Sequence, residues 1–400
     1  MACKRGHALA GVLRCGILLA ALAVPSLVWA QTRPVIKIVS QSPLSGEQAA
    51  LGEQVKLGAQ LAVDELKKNI EAMGFKVEFV PYDDQAKPDV GVANAKNMVA
   101  DPDVLVVVGH FNSGVALPAS EVYKDADLTM ISPANTNPKI TDRGYKNVNR
   151  VCGRDDVQGP VGAQFAAKDL KVRSVYVIHD KTLYGQGVAD AFLGEAKKLG
   201  LKVLGYEGTE EKANFDPIIN PMRAKAPDLV YFGGIYNQGG ILLKQMRDKG
   251  MKAIFLGPDG LDSSETVKIA GKAAVGSYYT TVAGPPSAYP ESASFVKRFK
   301  AKFGKDPESF SMYSYDSAAV GIRAVEIAIA DAKGKKPTRA QVSAAVRKIK
   351  NFQGITGTIT FDSQGDPVKS KYFVLKFMEE KYPGTIVKTL ELGAPQVKKG

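Results

Sequence analysis

Four stretches of the 400-residue chain gather side chains suited to holding a polar ligand, each directly after a short apolar run. They read Gly109-His110-Phe111-Asn112-Ser113-Gly114, Ile131-Ser132-Pro133-Ala134-Asn135-Thr136-Asn137-Pro138, His179-Asp180-Lys181-Thr182-Leu183-Tyr184-Gly185-Gln186-Gly187 and Gly257-Pro258-Asp259-Gly260. Hydroxyls and amides just ahead of a helix bind anions, because first-turn N–H groups lack partners and the helix dipole is positive there. The same residue types also serve as plain N-caps, and an Asp in Gly-Pro-Asp-Gly is an ordinary turn residue. On residues alone, Ser113, Thr136 and Asp259 keep both readings. Tyr184 and Tyr236 are either ligand-facing or half-buried packing.

Bond-making chemistry is poorly supplied. The chain has no G-x-S-x-G elbow, no P-loop and no H-E-x-x-H, and Gly185-Gln186-Gly187 lacks the third glycine of a dinucleotide fingerprint. His110 and His179 each follow a predicted strand and so can face a cleft. With no other metal ligand nearby in sequence, the simpler expectation is a strand-end histidine that packs and hydrogen-bonds locally. Asp83-Asp84 and Asp155-Asp156 are adjacent pairs, and neighbours on a strand or loop usually point apart, which makes them weak acid/base candidates. Neither enzymatic activity, a cofactor nor a metal is expected.

Lys4, Arg5 and Arg14 open the chain, and an uncharged run follows from Cys15 to Ala30. Its apolar core, Gly16 to Val24, is too short to span a bilayer, and Val28-Trp29-Ala30 places small residues at the positions a signal peptidase reads. This predicts a secretory signal peptide over residues 1–30. Arg14 directly before Cys15 argues against lipidation. The mature chain keeps Cys152 alone of three cysteines, which excludes an internal disulfide and predicts a small buried hydrophobe. Basic residues number 53 against 41 acidic, but the excess is spread out, with Lys333, Lys335, Lys336 and Arg339 as the nearest thing to a cluster. A nucleic-acid partner is not expected. The charge suits solubility beside an anionic cell envelope.

The elements that must position these residues alternate. Val35–Val39, Lys76–Tyr82, Val104–Val108 and Leu128–Ile131 read as strands, with helices over Glu47–Glu71, Pro88–Ala100 and Leu117–Lys124. The pattern restarts with strands at Val172–His179, Lys202–Tyr206, Leu229–Phe232 and Ala253–Leu256, separated by helices at Gln186–Leu199, Pro217–Lys225 and Gln238–Lys249. Helices at Ser292–Phe303, Ser311–Ala332 and Ala340–Ile349 and β-rich segments from Gly357 onward end the chain. The expected class is α/β, with two doubly wound lobes joined by a hinge that the chain crosses several times. The predicted lobes are residues 31–154 plus 284–356 and residues 155–283 plus 357–400. At 45% hydrophobic and 24% charged, the composition is that of a globular chain and excludes a disordered or polytopic membrane protein.

The four junction segments, together with Leu44-Ser45-Gly46 and Tyr82-Asp83-Asp84, resemble the periplasmic binding proteins for branched-chain amino acids, the type I solute-binding proteins of ABC transporters. The resemblance runs from Gln31 to about Tyr382 with the motifs in order. It implies a two-lobed fold that closes around one free amino acid, Leu, Ile or Val. It assigns the ligand carboxylate to Ser113 and Thr136, and the ammonium to the Ala134 carbonyl and Asp259. Tyr184 and Tyr236 close over the ligand, and Leu51 lines the side-chain pocket. The implied setting is a monomer in the periplasm, not membrane-embedded, that hands its ligand to ABC permease subunits.

This chain departs from the family's pattern in places. Asp259 stands where better-known members carry Glu, one methylene shorter, and Leu51 where they carry an aromatic residue. Ala86 and Asn112 occupy the two half-positions of their disulfide, which makes Asn112 an additional candidate ligand contact. The wider family also takes aromatic acids, amides and urea, so the same fold with such a ligand, or a module presenting its ligand to a membrane receptor, is the alternative expectation.

Overall fold

Apolar runs alternating with amphipathic stretches fold into two helix-covered sheets in a computed structural model that describes residues 33–395. The predicted signal peptide, with Cys3, His7, Cys15 and Trp29, lies outside the described residues. The first sheet takes β1 (Val35–Ser42), β2 (Lys76–Asp83), β3 (Val104–Gly109), β4 (Thr129–Ser132) and β5 (Val148–Arg150), all parallel, in the order β2-β1-β3-β4-β5. Buried along its whole length, β3 owes its unbroken Val-Leu-Val-Val-Val run to cover on both faces. Helices α1 (Ala49–Ala72), α2 (Pro88–Ala100) and α3 (Ser113–Asp125) make the crossovers.

The chain then passes into a second unit through α4 (Asp155–Gln164). Strands β6 (Ser174–His179), β7 (Lys202–Gly208), β8 (Leu229–Gly233), β9 (Ile254–Gly257) and β10 (Tyr278–Thr281) pair in parallel there, with α5 (Leu183–Lys198), α6 (Asp216–Lys225), α7 (Tyr236–Asp248) and α8 (Ser264–Ala270) between them. Next come α9 (Ser292–Phe303), α10 (Ser309–Asp331) and α11 (Arg339–Lys348). Of these, α10 lies along α1 and over β3 and β4, which returns the chain to the first sheet. A small ribbon, β11 (Phe352–Gly354) with β12 (Gly357–Ile359), leads back. Strands β13 (Ser370–Lys376) and β14 (Thr385–Leu392) then extend the second sheet antiparallel, beyond β10.

Three places differ from the sequence pattern. Helix α4 falls between Ile131 and Val172, where the sequence pattern assigns no element, because Gly159, Pro160 and Gly162 are poor helix formers. Packing supplies what propensity lacks. Gly159 lies so close to α5 that a Cβ there would meet the Phe192 amide nitrogen at 2.6 Å and the Val188 carbonyl oxygen at 2.8 Å. Helix α3 starts at Ser113, four residues before the predicted Leu117, with Pro118 inside it. Finally, β5 and β10 span only three and four residues, too short for a periodic signal.

Where the chain crosses between the sheets, buried charges meet. Arg150 Nε lies 2.6 Å from Asp366 Oδ1, and Arg154 Nη1 lies 2.7 Å from Asp366 Oδ2. The Thr141 hydroxyl donates to the same carboxylate at 2.9 Å. Arg150 and Asp366 are fully buried, and every oxygen of this carboxylate is partnered.

Candidate functional site

In the second sheet's unit, Asp180 and Thr182 fix the start of α5. Asp180 Oδ1 accepts from the Thr182 amide at 2.9 Å and from its hydroxyl at 2.6 Å, while Thr182 Oγ1 caps the helix by accepting from the Gly185 amide at 2.9 Å. Only glycine fits at 185, where a Cβ would sit 2.1 Å from Asp180 Oδ1 and 2.5 Å from the Gly233 carbonyl oxygen. This pins Tyr184. Its hydroxyl donates to Asp259 Oδ1 at 2.5 Å and accepts from the Gly260 amide at 2.8 Å. Asp259 is 3% exposed, and burial pushes its carboxyl up to about 6, although the Tyr184 hydroxyl and the Gln158 amide favour its charged form.

In the first sheet's unit, Ser113 opens α3 and its Oγ accepts from the Asn137 amide at 3.3 Å. The loop after β4 is held from both sides. The Asn135 side-chain amide donates to the His110 carbonyl at 3.0 Å, and Arg150 donates to the carbonyls of Asn135 at 2.9 Å and Asn137 at 3.1 Å. Between those two carbonyls sits Thr136, fully buried, its hydroxyl without a hydrogen-bond partner among the described residues. Thr136 precedes only a three-residue 3-10 turn, Pro138–Ile140, rather than the helix its position suggested. Ala134 is buried beside it, its amide donating to Ser132 Oγ at 3.2 Å.

Asp155, first residue of α4, completes the group, and residue-type reasoning passed over it. Its amide donates to the Thr136 carbonyl at 3.0 Å. Its side chain is fully buried, and neither carboxylate oxygen has a hydrogen-bond partner among the described residues. Burial, and then the negative charge of Asp259, holds its carboxyl well above the ordinary carboxylate range, against the weaker pull of Arg150. The adjacent Asp156 turns away to Arg154 at 2.7 Å. One signal was available: α4 carries no basic residue, so none stands three or four positions on to pair Asp155.

Thr136, Tyr184 and Asp259 thus come together near Asp155, and Ser113 is tied to the same loop through the Asn137 amide. The other predicted residues lie toward a second edge of the cleft. Asn112 donates from Nδ2 to Gln48 Oε1 at 2.7 Å, and its own oxygen is buried without a partner among the described residues. Leu51 is buried in the first turn of α1. The Tyr236 hydroxyl donates to the Glu47 carbonyl at 2.7 Å, and Lys212 and Asn237 reach the Glu47 carboxylate at 3.0 and 3.1 Å. Across the opposite edge, the Asn137 side-chain amide donates to the Leu183 carbonyl at 2.9 Å. These bonds draw the two units shut. Open volumes remain at the rims, about 440 Å³ beside Glu47, Lys212 and Tyr236 and about 430 Å³ beside Asn137, Leu183 and Gln186. Neither Asp155 nor Asp259 lines either volume, and both are buried.

The histidines pack locally. His110 is buried and stacks on Tyr123, its Nε2 3.2 Å from the tyrosine oxygen, and His179 Nδ1 accepts from the Lys181 amide at 3.1 Å. Cys152 is buried, and burial pushes its thiol far above its ordinary value, which leaves it without nucleophilic character. Among the described residues no helix is long and apolar enough to cross a membrane, and no group of His, Cys, Asp and Glu is placed to hold a metal ion.

Comparison with known proteins agrees with this architecture. A periplasmic binding protein family model matches residues 35–381. A Leu/Ile/Val-binding protein homolog of Brucella abortus is 36% identical over 368 residues, 91% of this chain and 95% of its own. The crystal structure of a leucine binding protein from Thermotoga maritima superimposes with a TM-score of 0.80 at 28% identity, covering 89% of this chain and 98% of that one. A branched-chain amino acid transporter substrate binding protein from Streptococcus pneumoniae, solved with isoleucine, gives 0.79 at 25% identity over 90% and 100%. With its two α/β lobes in the type I arrangement and a match over nearly its whole described length, the chain belongs to the periplasmic binding protein family.

Proposed function

We propose that this protein captures a free amino acid between its lobes in the periplasm, with Leu, Ile and Val as the first candidates, and delivers it to an ABC permease without chemical change. The observation that carries this reading is the polarity of the closed cleft. Two buried carboxylates, Asp155 and Asp259, lie beside the loop that carries Thr136, and Ser113 at the start of α3 is joined to that loop through the Asn137 amide. That pattern complements a zwitterion. The ligand carboxylate meets Ser113, Thr136 and the positive end of α3, and the ammonium meets the acids and the Ala134 carbonyl. Tyr184 and Tyr236 cover the ligand, while Leu51 and Asn112 bound its side chain. The proposed lobes, residues 31–154 with 284–356 and residues 155–283 with 357–400, meet at this cleft. The names of the relatives and neighbours support the same ligand class.

A ligand without an ammonium leaves both acids unpaired, which costs about 1–3 kcal/mol for each buried polar group. Aliphatic side chains that differ by one methylene differ by about 1–3 kcal/mol. The test is a thermal-shift screen of protein unfolded and refolded to remove bound ligand. An amino acid at 100 times its Kd raises stability by about 2.7 kcal/mol. A shift with Leu, Ile or Val is the expected result. A shift confined to benzoate, a small amide or urea replaces this reading.

A further inference from the structure

We propose that Asp155 and Asp259 hold one proton between them in the ligand-free protein, and that the ammonium group of a captured amino acid displaces it to solvent, so that capture releases about one proton. The inference rests on the amino-acid reading above and goes further, to the charge state in which the cleft waits. Its basis is the company each carboxylate keeps. Asp155 is fully buried, with both oxygens unpartnered among the described residues, and Asp259 receives one hydroxyl, that of Tyr184.

No cation faces the pair closely. Arg150 is the nearest positive group, and it spends its guanidinium on Asp366, on the carbonyls of Asn135 and Asn137, and on the Thr141 hydroxyl. The other groups that bear on the pair are Tyr184 from α5, Tyr231 from β8, Cys152 after β5, Gln158 on α4 and, through space, the charge of Asp156. All are neutral or negative. Two carboxylates in one dry site do not both ionise readily, and they titrate as a unit. The raised values of both groups agree with this. An ammonium brings three donors and a positive charge, and it favours the doubly ionised pair. The balance closes simply: the amino acid enters as a zwitterion, keeps its own protons, and the displaced proton passes to buffer.

Calorimetry of leucine binding at pH 7 in phosphate, HEPES and Tris reads the proton directly, as the slope of heat against buffer ionisation enthalpy. The expected slope is about one proton released, with Kd rising about tenfold per pH unit as pH falls from 7 to 6. Asp155→Asn is expected to bring the slope near zero and weaken binding about 30-fold or more. Asp259→Asn serves if that variant does not fold. Leucine binding with zero slope and a flat pH profile overturns the proposal and leaves the amino-acid reading standing. The pair is also read without ligand, by carboxyl-carbon NMR of refolded protein labelled at aspartate. A resonance that titrates above pH 6 and disappears in Asp155→Asn supports the shared proton. The absence of any such titration overturns it, whatever the ligand proves to be.

Discussion

Asp366 and Asp155 are buried carboxylates that both feel Arg150, yet their environments move them in opposite directions. At Asp366 burial pushes the carboxyl up, but Arg150 and Arg154 outweigh it and hold the group below the ordinary carboxylate range. At Asp155 burial and the neighbouring Asp259 win, and the group is driven up. The difference lies in where the arginines point. Arg154 ends on Asp366, Asp142 and Asp156, and Arg150 ends on Asp366 and two loop carbonyls, so the crossing is complete and the cleft is left short of cations. A closed ion network joins the crossing segments into one hinge. Asp155, by contrast, is buried with neither carboxylate oxygen partnered among the described residues.

The sharpest way to break this contrast is to remove each acid in turn. Asp366→Asn leaves the buried Arg150 without its counter-charge and Arg154 with Asp142 and Asp156 alone, and is expected to cost about 3–5 kcal/mol, seen as a lower urea midpoint at pH 7. Asp155→Asn is expected to act with the opposite sign on the ligand-free protein, raising stability at pH 8 by about 1 kcal/mol or more, while it weakens amino-acid binding by about 2–5 kcal/mol. The pH profiles should separate as well. The folded pKa of Asp366 is lowered, so its contribution is present above the ordinary carboxylate value and is lost as pH falls through the folded one. Those of Asp155 and Asp259 are raised, so their contribution is full below the ordinary value and is lost as pH rises through the folded values, about 6 for Asp259. Melting of ligand-free protein between pH 4 and 8 in the two variants checks both signs. A fall in stability at pH 8 for Asp155→Asn would end the comparison.

The same contrast marks how far the sequence could be read. Strands such as β3 declare themselves, because burial on both faces leaves an unbroken apolar run. Ser113, Thr136, Tyr184 and Asp259 stand at strand-to-helix junctions, where ligand-facing residues collect, and the family resemblance gave each a role. Asp155 carries no such mark. Its helix is rich in glycine and proline, and α4 forms because Gly159 and Gly162 let it lie against α5 and β10. An adjacent pair of aspartates looks like surface until the fold buries one and hands the other to Arg154. The partnering of Asp366 is equally hidden, since Arg150 and Asp366 are 216 residues apart by their numbers.

A smaller effect is expected at the aromatic cover. Tyr184→Phe keeps the ring but removes the hydroxyl that links Asp259 Oδ1 to the Gly260 amide. Both groups then lose a buried partner, and amino-acid affinity is expected to fall about tenfold, near 1.4 kcal/mol, in calorimetry at pH 7. An unchanged Kd would mean that Asp259 is held by the loop alone and that the tyrosine only packs.

The smallest effect belongs to the rim. Lys212 and Glu47 join the lobes at 3.0 Å, but their side chains are 63% and 57% exposed. Exposed pairs contribute little, because water screens the charges and two long side chains lose freedom in meeting. Lys212→Ala is therefore expected to change Kd by less than about twofold, and 0.5 M salt is expected to abolish what difference remains. Glu47 also receives the Tyr236 hydroxyl through its backbone carbonyl, at 2.7 Å, and no side-chain substitution at 212 touches that bond. If Lys212→Ala nonetheless weakened binding as strongly as Asp155→Asn, closure would depend on charge at the cleft's mouth, and the unpaired acids below it would not be the main determinant of affinity.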